Sequence, residues 1–246
     1  ELWALHLQKK VLSLQSVCKS NKIRTTPKII FHKFYKMTKY QDITTLIFDL
    51  GGVIVDLDWN QCIRNFEKIG INDMEKLVST TLQKGFVLDY EMGLTSDDQF
   101  RTEIRKYAVS EVTDDQIDYA WTSLLVGIPA EKLDLLMELR KKYKVLMLSN
   151  TNNLSFRFSL EMFTVGGRQV DDYFDKCYLS YMMRLAKPSP EIFLALLQDA
   201  GLKAEECLFL DDGIHNIQAA EKLGFNVQFI KPYTSVNEWD FLNQLK

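Results

Sequence analysis

The residues able to do chemistry gather in four short stretches. Asp49 follows the run ITTLIF, Ser149 and Asn150 overlap and follow KVLML, Lys187 precedes Pro188, and Asp211 and Asp212 follow ECLFL. Apolar runs of this kind read as strands covered on both faces, and in a parallel sheet their C-terminal ends share one rim. Three carboxylates converging on one rim repel each other, so some hold protons or a cation sits among them. The donors on offer are hard oxygens, which favours magnesium over zinc or copper. Lys187 brings a second positive charge. An aspartate, a magnesium ion, a hydroxyl and a lysine together suit a dianionic phosphate and the charge that develops as it is transferred.

The elements that must position these groups follow from the pattern. Strands are expected over 43–49, 144–150, 206–212 and 226–230. A helix over 130–142 ends in Arg140, Lys141 and Lys142, cations suited to a helix C-terminus. Ser189-Pro190-Glu191 opens another that Gly201 closes, and a third over 214–223 is stopped by Gly224. This alternation predicts a doubly wound, Rossmann-like α/β core with a parallel sheet. Residues 59–125 break the rhythm with helix after helix, far more than a crossover requires. Gly127 and Pro129 mark the return. The surplus lies beyond the end of the first strand, at the edge where open α/β sheets bind ligands, and reads as a cap. The expected division is therefore a core of 42–57 and 128–246 with a helical cap of 58–127.

Composition sets the outer limits. The chain has 246 residues, 46% of them apolar and 26% charged, with a net charge of −3, which suits one core plus a small second domain. Nothing in it points to a nucleic-acid surface, and no apolar run is long enough to span a bilayer. Residues 1–36 carry eight Lys/Arg against one acid. They are expected to lie outside the fold, with a targeting arm as the alternative reading. Cys18, Cys62, Cys177 and Cys207 are widely spaced, with neither zinc spacing nor a disulfide framework. Free thiols imply a reducing cytoplasm.

The pattern FDLGGVIVD (48–56), LSN (148–150), Lys187 in AKPSPEIF, and FLDDGIHNIQAAEKLG (209–224) resembles the four ordered motifs of the haloacid dehalogenase-like superfamily. Within it the chain is similar to small-cap sugar-phosphate phosphatases of the alpha-D-glucose-1-phosphate phosphatase type, which share the signatures at Asp49–Asp58 and Ser149–Asn152. The resemblance implies a magnesium-dependent phosphomonoester hydrolase for small phosphorylated metabolites, sugar phosphates above all; the residues leave monomer and homodimer both open. It implies Asp49 as the nucleophile that becomes an aspartyl-phosphate. Asp49, the Gly51 carbonyl, Asp212 and Asp211 would hold Mg²⁺. Ser149, Asn150, Gly51, Gly52 and Lys187 would hold the phosphate, with Lys187 offsetting charge.

One residue departs from the broad pattern. Most superfamily phosphatases place a second aspartate, the general acid and base, two residues after the nucleophile; here Gly51 stands there. The leaving group could need little help, a cap residue or water could supply the proton, or the protein could be catalytically weak. Glycine at this position argues against a phosphomutase, and the Asp211–Asp212 doublet against a metal-free dehalogenase; a non-catalytic phosphometabolite binder is the remaining alternative. Asp56 and Asp58 are read as helix N-cap or hinge residues and Trp59 and Trp121 as cap core. Asp89 and Glu91 are read either as contacts to substrate hydroxyls or as a solvated helix face. His215 is read as a surface residue, and Asn216 as a brace for the fourth motif.

Overall fold

The computed structural model describes residues 40, 42–72, 74 and 85–245, and the basic segment 1–36 lies outside them. The chain runs from β1 (Thr45–Phe48) through a short β2 (Asp56–Leu57) into α1 (Trp59–Lys68), α2 (Phe86–Glu91), α3 (Asp97–Arg105) and α4 (Asp114–Thr122), and returns by β3 (Leu125–Gly127). It continues with α5 (Ala130–Arg140), β4 (Lys144–Ser149), α6 (Asn153–Leu160), α7 (Val170–Tyr173), β5 (Lys176–Leu179) and α8 (Ser180–Met183). The last elements are α9 (Pro190–Ala200), β6 (Cys207–Asp211), α10 (Ile214–Lys222) and β7 (Asn226–Phe229).

The core is a parallel five-stranded sheet in the order β5-β4-β1-β6-β7, in keeping with the expected α/β class. β1 lies at its centre, and all four of its residues are buried. Successive side chains point to opposite faces. Ile47 packs into the cluster formed by α9 and α10, with Phe193, Leu196 and Ile217, whereas Phe48 stacks on Trp239. Each such buried Leu, Ile or Phe contributes roughly 1.5–3 kcal/mol, enough to fix which faces are covered.

Two strand expectations need correction. β5 is a fifth strand at the sheet edge, and its first residue, Lys176, is exposed, so its four residues lack the apolar signal of the inner strands. β2 and β3 form a two-stranded antiparallel pair where the chain leaves and re-enters the core. They are too short to show periodicity.

Helices α1 to α4 build their own layer around Cys62, Phe66, Tyr90, Phe100, Ile104 and Trp121. The starts are set by side-chain caps. Asp58 accepts from the Gln61 amide at 2.8 Å, and Ser96–Gln99 and Thr113–Gln116 form reciprocal capping boxes. Tyr90 stacks on Phe100 at 4.3 Å, and Phe100 meets Trp121 edge-on at 4.8 Å. Among the described residues no helix is long and apolar enough to cross a membrane.

Candidate active site

Register brings the site together. Phe48 pairs with Met147 on one side and Leu210 on the other. One residue further along, Asp49 and Asp211 stand on neighbouring strands, and the Asp49 amide donates to the Leu210 carbonyl at 2.9 Å. Ser149 closes β4, with only 2% of its surface exposed. Carboxylate oxygens of Asp49, Asp211 and Asp212 lie within 4.8 Å of one another.

Lys187 ties this rim together. Its ammonium donates to Asp211 Oδ2 at 2.6 Å and to the Leu148 carbonyl at 2.9 Å, and pairs with Asp49 Oδ1 at 3.0 Å. The lysine is placed by Asn150, whose side chain donates to the Lys187 carbonyl and accepts from the Lys187 amide, both at 2.8 Å. Asn150 is thus a positioning residue through its side chain, a role its place in the motif did not reveal. Asp49 Oδ1 also accepts from the Leu50 amide at 2.7 Å, so the carboxylate is anchored on one side.

The acidic groups are crowded. Burial pushes the Asp49 carboxyl up to about 7; Lys187 opposes this, and Asp211 and Asp212 add to it. Burial likewise raises Asp212 to about 6, helped by Asp211. Burial works against the Lys187 charge, but Asp211 and Asp49 outweigh it and raise its pKa. Three hard carboxylates strained in this way form a donor set that fits a divalent cation such as Mg²⁺.

The glycines shape the rim. Gly52 has φ +76°, and a Cβ there would stand 2.2 Å from Asp212 Oδ2, so its backbone lies directly against that carboxylate. A Cβ on Gly51 would meet Leu57 Cδ1 at 3.3 Å: Leu57 fills the space beside the position that lacks the second aspartate. A Cβ on Gly213 would crowd Asn216 and Asp211. As expected, Asn216 braces the loop, donating to Asp211 Oδ1 at 2.9 Å.

A cavity of about 240 Å³ opens on this rim. Asp49, Ser149 and Asp212 line one side, and Trp59, Glu91, Trp121 and Leu124 the other. The tryptophans therefore combine the expected role in the helical core with a share of the cavity wall. Trp121 Nε1 also donates to Ser155 Oγ at 3.0 Å. Glu91 does not belong to a solvated helix face: it is half-buried at the cavity wall. Asp58 is the N-cap of α1, whereas Asp56 pairs with the buried Lys132 at 2.9 Å and caps no helix among the described residues. His215 is exposed, as expected.

One residue that carries no motif joins the two walls. Ser180, fully buried, donates to the Glu91 carbonyl at 2.6 Å and to the Thr151 carbonyl at 3.0 Å, and accepts from the Thr151 amide at 2.9 Å. The only sequence signal for it is its place at the end of the overlooked strand β5.

The haloacid dehalogenase-like hydrolase family matches residues 43–224. D-ribitol-5-phosphate phosphatase of Bacteroides thetaiotaomicron is 38% identical over 185 residues, covering 74% of this chain and 89% of that protein. A crystal structure of a haloacid dehalogenase family enzyme from Bacteroides thetaiotaomicron, in complex with magnesium and inorganic phosphate, aligns with a TM-score of 0.78. The two are 42% identical, over 82% of this chain and 98% of that one. A haloacid dehalogenase-like family hydrolase from Porphyromonas gingivalis aligns with a TM-score of 0.76 at 37% identity, over 83% and 99% of the two chains. With its motifs on the strand ends that this fold requires and the family match running from 43 to 224, the chain belongs to the haloacid dehalogenase-like hydrolases.

Proposed function

We propose that this protein is a Mg²⁺-dependent phosphomonoester hydrolase that works through an aspartyl-phosphate on Asp49, with residues 58–127 as a cap over the site. The observation that carries this reading is the Lys187 ammonium, 3.0 Å from Asp49 and 2.6 Å from Asp211, beside three clustered carboxylates of which Asp49 and Asp212 line the cavity. Asp49, held through Oδ1, attacks phosphorus. Ser149 Oγ has only a long 3.4 Å contact to the Asn150 carbonyl and is available to donate to a phosphate oxygen. Lys187 favours the ionised form of Asp49 against the burial that opposes it. Magnesium, held by Asp49, the Gly51 carbonyl, Asp212 and Asp211, would supply the positive charge that offsets the carboxylates and phosphoryl oxygens.

The substrate class is small phosphorylated sugars or sugar alcohols. A volume of about 240 Å³ suits a short polyol chain, and the similar Bacteroides protein is a ribitol-5-phosphate phosphatase. Free thiols at Cys62, Cys177 and Cys207 suit a reducing compartment, and we place the enzyme in the cytoplasm.

The test is phosphate release from D-ribitol-5-phosphate, D-glucose-1-phosphate and related esters, with Mg²⁺ or EDTA. Turnover that needs the metal and disappears in Asp49→Asn is expected. A chain that binds these esters without releasing phosphate would instead be a binding protein.

A further inference from the structure

Gly51 leaves the reaction without a proton donor at the usual place, and Leu57 occupies the adjoining space. The cavity narrows the choice of replacement. Of the described residues that line it, the carboxyl groups are Asp49, Asp212 and Glu91. Asp49 is committed to phosphorus and Asp212 to the cation. Glu91 alone remains, and it stands on the helical wall, across from the rim that holds the phosphoryl group.

We infer that Glu91 is the general acid and base of this enzyme, an assignment that rests on the phosphatase reading above. In the first half-reaction a bond forms between an Asp49 oxygen and phosphorus, the bond from phosphorus to the ester oxygen breaks, and the Glu91 carboxyl protonates the departing alkoxide. In the second, water attacks phosphorus, its proton passes to the Glu91 carboxylate, and the bond to Asp49 breaks. The acid is thereby restored and Asp49 is freed.

Three further observations agree. The Glu91 carboxyl makes no hydrogen bond or ion pair among the described residues, so its proton is not engaged elsewhere. Its backbone is fixed, because Ser180 bonds its carbonyl at 2.6 Å and ties it to Thr151, two residues beyond Ser149. Burial lifts its pKa to about 7, with Lys187 pulling the other way, so both protonation states are populated near neutrality. The charged groups on the facing elements are Asp49 and Asp212 at the rim, with Lys187 behind them. Tyr181 of the adjacent α8 lines a separate, larger cavity with Tyr90 and Asp97.

The experiment compares wild type with Glu91→Gln, an isosteric change, on two leaving groups in pre-steady-state runs with substrate in excess and Mg²⁺ present. p-Nitrophenolate departs without a proton, whereas the alkoxide of D-ribitol-5-phosphate requires one. The variant should keep a near wild-type burst of p-nitrophenol followed by a slowed steady state. On the alkyl ester it should lose about 10²–10⁴-fold. The wild-type kcat/KM on the alkyl ester should fall as pH rises through about 7, and that limb should vanish in the variant. A ¹³C NMR titration of the metal-free protein should show one glutamate with a midpoint near 7, absent from Glu91→Gln. Equal losses in the burst rate on both esters, or an unchanged pH limb, overturn this assignment while leaving the phosphatase standing. A wild-type chain without metal-dependent turnover overturns both.

Discussion

At the rim of the sheet the most deeply buried charges partner one another: Lys187 reaches Asp49, Asp211 and the Leu148 carbonyl, and Asn150 holds the lysine through both its amide and its carbonyl. At the facing cavity wall Glu91 is held differently, through its backbone carbonyl, and its carboxyl is left open to the cavity. The rim is built for fixed charge, which stabilises a developing transition state without having to reorganise. The wall opposite is built for a group whose charge must change twice in each cycle. Satisfying Glu91 with a salt bridge would have pinned it in one state.

This contrast is open to direct attack. The largest effect should come from Asp49→Asn, which removes the nucleophile and lowers kcat by about 10⁴-fold or more in a metal-supplemented phosphate-release assay. Next is Lys187→Met. It leaves Asp49 and Asp211 buried and facing each other and should cost about 3–5 kcal/mol of stability, measured by urea unfolding. A smaller effect distinguishes the two walls by pH. The folded-state pKa of Glu91 lies near 7, above its ordinary value, so the native state holds a proton that the unfolded chain has released. Stability from this group is therefore complete below about pH 4.5 and is lost as pH rises to about 7. Glu91→Gln should flatten that decline in metal-free protein by about 1–3 kcal/mol between pH 5 and 8, seen as converging unfolding midpoints. Smallest is Asp58→Ala, which removes the α1 cap. It should cost about 1 kcal/mol in thermal unfolding and leave kcat unchanged, because the Asp58 side chain reaches the Gln61 amide and Arg64 within α1 and does not line the cavity.

The rim was legible because it is local. A buried parallel strand announces itself by an unbroken apolar run, and the polar residue that ends the run must fall on the rim. Asp49, Ser149 and Asp211 all obey this rule. The existence of the helical layer was legible too, from its sheer length. What could not be read is anything that depends on how distant segments dock. Asp56 meets Lys132, 76 residues away. Edge strand β5 shows no pattern because half of it faces solvent. Glu91 is indistinguishable in sequence from neighbouring Asp89, and only the docking of α2 on Ser180 turns it toward the cavity. The glycine at 51 did indicate that an acid must come from elsewhere, though not from where.

The Ser180 hydroxyl has one proton and two carbonyls to share it, Glu91 at 2.6 Å and Thr151 at 3.0 Å. Were the helical layer to lift for substrate entry, that proton would swing wholly to Thr151, and the freed Glu91 carbonyl would meet incoming water. No buried donor would be stranded, so separation at this point would cost far less than tearing apart a dedicated bond. The hinge would work like a magnetic catch, firm when shut and quick to release, and the acid would reach its ester only while the catch is closed.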